Sequence, residues 1–341
     1  MPGPDGYPAH PGCALARRQP TERGCNKCRR SGRQMSARPA RRARLGLSEK
    51  FCAASRDIKL SHSVFAMPFA LLATFLSARW AGRLPGVDEF VLIVVCMVLA
   101  RTVAMTVNRL ADAKLDASNP RTAGRAIPSG RLDQRFMRLT MVICVLLFIV
   151  ACGGFWLMRT NVWPLAFSPW VLMYLGGYSY TKRFTWLCHI YLGTALALSP
   201  IAASIAIEPG FLGTIQPWLL AGMVACWVGG FDVIYALQDV EHDQSLGLYS
   251  MPAKLGVENA LWISRLLHLC AAGCLIGLWY ASPVLGVLFL TAASITLALL
   301  IFEHVLVWRS RTHHINVAFL TVNGVISLLL GAAGIVEVCL A

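Results

Sequence analysis

The chain has 341 residues, 56% of them hydrophobic and only 14% charged, with a formal net charge of +14. Soluble domains average about 25% charged residues, so this composition excludes an ordinary soluble fold. The basic residues are not interleaved with aromatics or set on an apolar period, which argues against a nucleic-acid partner.

The first 59 residues hold 14 Lys/Arg against 4 Asp/Glu, a net of +10. Residues 1–57 are read as a basic, disordered tail that helps set topology and touches anionic headgroups. They contain no apolar stretch of about 7–15 residues, so they are not a secretory signal. Their Arg-rich, acid-poor make-up is also that of a mitochondrial transit peptide, and Met35 is an alternative start. Cys25 and Cys28 form a single Cys-x-x-Cys pair without a second pair, which argues against zinc. Eight of the twelve cysteines lie in apolar segments, as small hydrophobes.

Nine apolar segments follow, near 58–80, 88–108, 136–158, 162–180, 186–207, 215–238, 258–280, 283–305 and 314–339. Each is close to the roughly 20 residues that cross a bilayer. Residues 58–341 are therefore expected to form an all-α membrane domain of nine transmembrane helices arranged around a central cavity. Trp80, Trp163, Trp186, Trp218 and Trp308 fall near segment ends, where indoles suit the headgroup layer. Lys and Arg gather in the loops after the second, fourth, sixth and eighth segments. That places these loops and the N-terminus in the cytoplasm.

Two acidic clusters end the second and sixth segments on that same side. The first is Asn108, Asp112 and Asp116. A spacing of four turns a helix by about 400°, so all three share one face. Aligned oxygen donors of this kind suit Mg²⁺, which takes one or two carboxylates and completes its shell with water and phosphate oxygens. The second cluster, Asp239 and Asp243, repeats the spacing. Asp232 lies about 10 Å deeper on the same face, where an ionisable group is costly unless it meets a polar cavity or a partner. Two facing acidic clusters repel each other unless cations lie between them, and with Mg²⁺ between them they become a trap for diphosphate. Arg121, Arg125 and Lys182 are the basic residues placed to complete that trap.

These motifs resemble those of the UbiA superfamily of intramembrane prenyltransferases, over about residues 58–340. The matching runs are Asn108 to Asp116, Asp239 to Asp243, Arg-Thr-x-x-Arg at 121–125 followed by Pro-Ser-Gly, Tyr178-Ser-Tyr-Thr-Lys182, and His62-Ser-Val-Phe65. Arg109 departs from the pattern, occupying the place of the family's usual first aspartate. The resemblance implies Mg²⁺-dependent transfer of a polyprenyl group from a polyprenyl diphosphate to an aromatic acceptor. It implies Asp112, Asp116, Asp239 and Asp243 as catalytic metal ligands with Asn108, and Arg121, Arg125 and Lys182 on the diphosphate. Asp232 and Tyr178 are placed to orient the acceptor. The leading acceptor is 4-hydroxybenzoate in ubiquinone biosynthesis, and the alternative is a dihydroxynaphthoate in menaquinone biosynthesis. A cation or small-molecule transporter is the alternative of a different class. The expected location is a bacterial inner membrane, with a mitochondrial inner membrane as the alternative and the site facing the cytoplasm. The sequence sets no oligomeric state.

Overall fold

A computed structural model describes residues 46–57, 65–310 and 321–341, all within one unit formed by residues 45–341. Cys25, Cys28, Met35 and His62 lie outside the described residues. No strand occurs among the described residues. The helices are α1 (Leu47–Asp57), α2 (Met67–Trp80), α3 (Val87–Ala111), α4 (Ala113–Ser118), α5 (Gln134–Arg159), α6 (Trp163–Thr181), α7 (Cys188–Ile207), α8 (Gln216–Ala236), α9 (Val240–Ser245), α10 (Met251–Leu255), α11 (Val257–Ala281), α12 (Val287–Ser310) and α13 (Asn323–Leu340). Proline in the first turn starts α2, α6, α8 and α10, where its missing N–H leaves no helical bond unmade. Gly256 joins α10 to α11 at φ 82°, a left-handed conformation that favours glycine.

Among the described residues, seven helices are long and apolar enough to cross a membrane: α3, α5, α7, α8 with its continuation to Ser245, α11, α12 and α13. The first and fourth of the nine expected segments are α2 and α6, of 14 and 19 residues as described, and neither is among those seven. Consecutive long helices pack side by side, and the circuit closes where α13 returns to α2. α2 also packs on α7, so the circuit is crossed and the first half, α2 to α7, encloses its own space.

Small residues allow the close approaches. A Cβ on Gly193 of α7 would stand 2.2 Å from the carbonyl oxygen of Ala225 on α8, and one on Gly331 of α13 would stand 2.4 Å from Pro68 of α2. Without a hydrophobic drive between helices in lipid, such close packing and interhelical hydrogen bonds hold a bundle together. The core is centred on Phe65, Phe69, Trp227 and Phe231, with ring centroids 5.5 Å apart for Phe69–Trp227 and 5.1 Å for Trp227–Phe231. The Trp227 indole donates to Asn323 Oδ1 at 2.7 Å, and Asn323 donates to Glu303 Oε1 at 2.9 Å, tying α8, α13 and α12 together.

The end of the expected tail is ordered structure. α1 occupies residues 47–57, and its Ala54 is buried with Ala113, Ala126, Ile127, Leu132 and Met137. Asp57 Oδ1 accepts the Ala126 N–H at 2.8 Å. The apolar positions that bury α1 come from the segment after α3, so no periodicity within residues 1–57 announces them.

Candidate active site

The ends of α3, α6 and α8 and the start of α7 surround a polar cavity of about 170 Å³. Asn108, Asp112, Asp116, Asp239, Asp243, Arg121, Arg125, Lys182, Tyr178 and Asp232 all line it, so every residue singled out from the sequence reaches one place. The helix carrying the first cluster is not continuous. α3 stops at Ala111 and α4 starts at Ala113, with Asp112 between them at φ −92°, ψ 4°. The one-face argument survives the break because Asp112 N–H still bonds to Asn108 O at 2.9 Å and Asp116 N–H to Asp112 O at 2.8 Å. In the second cluster, Asp239 ends a 3-10 turn (Leu237–Asp239) and Asp243 sits on α9, buried at 5% exposure.

The turn after α4 joins the two clusters. Asn119 Nδ2 donates to Asp239 Oδ1 at 3.0 Å, and the Arg121 guanidinium pairs with the Asp239 carboxylate while Nη1 reaches Tyr235 Oη at 3.0 Å. Arg125 Nη1 lies 2.7 Å from both Asp116 oxygens. Arg183, which the sequence reading leaves in a topological role, donates to Asp112 Oδ1 at 2.9 Å and to Ala111 O at 2.8 Å. Three of the four carboxylates thus hold arginines, while Lys182 and Asp243 make no ion pair among the described residues. With Asp232, five carboxyl groups face Arg121, Arg125, Arg183 and Lys182, so the cavity has no surplus of positive charge. Burial pushes the Asp112 carboxyl above its ordinary value, against the pull of Lys182 and Arg183.

Arg109 turns away from the cavity. It is 3% exposed, donates from Nε to Asp57 O at 3.2 Å, lies 3.5 Å from Asp57 Oδ2, and donates from Nη1 to Asn108 Oδ1 at 2.9 Å. Asn108 in turn donates to Asp112 Oδ2 at 2.9 Å. The departure from the family motif is therefore compensated by α1, and a chain Asp57–Arg109–Asn108–Asp112 orients the first cluster.

Asn108 and Tyr178 also line a second cavity of about 430 Å³, enclosed by α2, α3, α5, α6 and α7 and almost wholly apolar. Arg101 reaches into this chamber, and its Nε is buried without a hydrogen-bond partner. It makes no ion pair among the described residues. The sequence reading missed Arg101, although its place seven residues before Asn108, on the same helical face, was a usable signal. It also missed His189, whose Nδ1 lies 2.7 Å from Asp232 Oδ2.

Among the described residues, no group of three or more His, Cys, Asp or Glu side chains stands ready as a metal cage. The donor set still fits Mg²⁺, because the cavity offers hard oxygen ligands and this ion needs only one or two carboxylates beside water and phosphate.

The model of the UbiA prenyltransferase family matches residues 66–329. A 4-hydroxybenzoate octaprenyltransferase of Pseudoalteromonas translucida is 27% identical over 270 residues, spanning 74% of this chain and 88% of the relative. The apo structure of a UbiA homolog from Aeropyrum pernix K1 superposes with a TM-score of 0.73 at 27% identity, covering 82% of this chain and 98% of that one. A UbiA homolog from Archaeoglobus fulgidus bound to DMAPP and Mg²⁺ shares the fold, with a TM-score of 0.64 at 17% identity over 86% of this chain and 100% of that one.

Proposed function

The chain belongs to the UbiA prenyltransferase family and is a multi-pass membrane prenyltransferase, and from that premise we propose that it transfers a polyprenyl group from a polyprenyl diphosphate to 4-hydroxybenzoate, with Mg²⁺ as cofactor, in ubiquinone biosynthesis. The transporter alternative falls with the family assignment.

The observation that carries the acceptor class is Arg101, a guanidinium without a counter-ion among the described residues, lining an apolar chamber. Such a charge is costly in a low-dielectric interior unless a ligand supplies the counter-charge. A carboxylate on an aromatic ring meets both the fork and the apolar walls. The name of the bacterial relative favours the hydroxybenzoate over the dihydroxynaphthoate, which also carries a carboxylate.

Asn108, Asp112, Asp116, Asp239 and Asp243 would hold Mg²⁺. When bound, the ion neutralises charge on the diphosphate as a Lewis acid. A multiply negative diphosphate entering a cavity with no surplus of positive charge requires such added charge. Lys182, without a carboxylate partner among the described residues, binds a phosphate oxygen, and Arg121 and Arg125 exchange their carboxylates for phosphate oxygens, stabilising charge that grows as the C1–O bond breaks. The apolar chamber receives the isoprenoid tail and keeps water from the allylic cation. With its carboxylate on Arg101, the acceptor directs its phenol end towards Asn108 and Tyr178, where the two cavities meet. The ring carbon ortho to the phenol oxygen then attacks C1.

The cavity opens at the end of the bundle whose loops carry Arg121, Arg125 and Lys182. The Lys/Arg bias supports a cytoplasmic location for that end. The bacterial relatives favour an inner membrane over the mitochondrial alternative. Membranes bearing the protein, given radiolabelled polyprenyl diphosphate and either acceptor, test the reading. Labelled prenyl-hydroxybenzoate formed only with Mg²⁺ is the expected product. Transfer to the naphthoate with none to the benzoate overturns the acceptor assignment.

A further inference from the structure

We propose that Asp232 is the base that takes the ring proton from the aromatic acceptor, and that His189 is the positioning residue that prepares it. This rests on the aromatic-acceptor reading above.

α7 and α8 approach closely at Gly193 and Ala225, and one turn from Gly193 the same contact sets His189 against Asp232. His189 is 5% exposed, with Nδ1 at 2.7 Å from Asp232 Oδ2. Its other nitrogen, Nε2, faces the backbone N–H of Met251 at 3.3 Å. With Nε2 facing the Met251 N–H, the ring proton sits on Nδ1, towards Asp232. The Nδ1–H then donates to Asp232 Oδ2 and leaves Oδ1 facing the cavity. Met251 thus orients the imidazole, and the imidazole fixes the direction of Asp232.

Asp232 differs from the carboxylates around the phosphate site. Asp112, Asp116 and Asp239 are each held by an arginine, whereas Asp232 has no Arg or Lys partner among the described residues. Its Oδ1 accepts no hydrogen bond among them, and the residue lines the polar cavity together with Tyr178. Two helical turns separate it from Asp239, about 10 Å along the axis. That depth places it below the diphosphate, on the side where the apolar chamber begins.

The step balances without a further reactant. The C1–O bond breaks and its electron pair leaves with the diphosphate. The ring carbon ortho to the phenol oxygen forms the new bond to C1. The proton on that carbon passes to Asp232 Oδ1, and the C–H pair restores the aromatic ring. Water in the polar cavity then takes the proton from the carboxyl.

The test uses the full chain in membranes, with 4-hydroxybenzoate either unlabelled or deuterated ortho to the hydroxyl. If Asp232 removes the proton quickly, wild-type turnover should show no isotope effect. Asp232→Asn should lower kcat by about 10²–10⁴-fold, the usual contribution of a positioned base, with acceptor KM held and a primary isotope effect newly visible. His189→Leu should lower kcat less and also reveal the isotope effect. His189→Gln, whose amide can still donate to Asp232, should recover much of that loss. A loss in Asp232→Asn without any isotope effect, or equal losses in both His189 variants, overturns the proposal, because a merely structural role predicts those results. Wild-type transfer to a dihydroxynaphthoate alone would sink the acceptor reading, and the same isotope comparison on that ring would still decide the base.

Discussion

Arg101→Met removes the charge from the apolar chamber while keeping an unbranched side chain against its walls. In the free protein Arg101 Nε has no partner and the residue no counter-ion among the described residues, so the variant loses no native contact of consequence and sheds a desolvated cation. Thermal stability in detergent should hold or rise. Acceptor binding should fall sharply. Truncating one member of a buried, hydrogen-bonded charge pair costs about 2–5 kcal/mol, which at about 1.36 kcal/mol per tenfold corresponds to a loss of roughly 30- to 5,000-fold in acceptor kcat/KM. The donor KM should change far less than the acceptor's, because Arg101 does not line the polar cavity that takes the diphosphate and methionine keeps an apolar wall for the tail. The assay is steady-state transfer with each substrate varied in turn, using 4-hydroxybenzoate and its uncharged amide. The wild type should discriminate strongly against the amide, and the variant should not. Unchanged acceptor kcat/KM, or undiminished discrimination, refutes the assignment of Arg101 to the carboxylate.

Asp239→Asn should cut Mg²⁺-dependent transfer by about 10²–10³-fold, the scale of losing one preorganised charge at a reacting group, and raise the Mg²⁺ concentration for half-maximal rate. Membrane insertion should be unaffected, and near-normal turnover would count against the site. Asp57→Ala leaves the Arg109 guanidinium without its buried carboxylate, which costs about 3–5 kcal/mol in comparable pairs. Adding Arg109→Met should restore much of that stability in a detergent melt. A single Asp57 variant as stable as the wild type would show that α1 does not compensate Arg109.

The helical bundle and the outline of its site were readable because both rest on period and length. Apolar runs marked the long helices, and two i, i+4 carboxylate pairs at segment ends marked the cavity's rim. Asp232 was readable because a carboxylate at its depth has few uses. Arg183 was not, since a basic residue near a segment end is equally explained by topology, whereas Arg101 lies inside the second segment and carried a signal in its seven-residue spacing from Asn108. What distinguishes Arg183 is its partner, Asp112, and partners on other helices leave no trace in local spacing. His189 is similarly ambiguous until α7 meets α8. α1 was hidden for a related reason: its buried surface is supplied by Ala113, Ile127 and Met137, more than fifty residues further along the chain.

The claim that two distant acidic clusters share one diphosphate through Mg²⁺ is tested most directly by a structure of this protein with Mg²⁺ and a non-cleavable polyprenyl thiolodiphosphate. The account predicts diphosphate density between the Asp112–Asp116 and Asp239–Asp243 pairs, with Lys182 on a phosphate oxygen and the prenyl tail in the chamber lined by Arg101. Diphosphate bound outside that cavity, or held by one pair alone with the arginine pairs of the other intact, would contradict it.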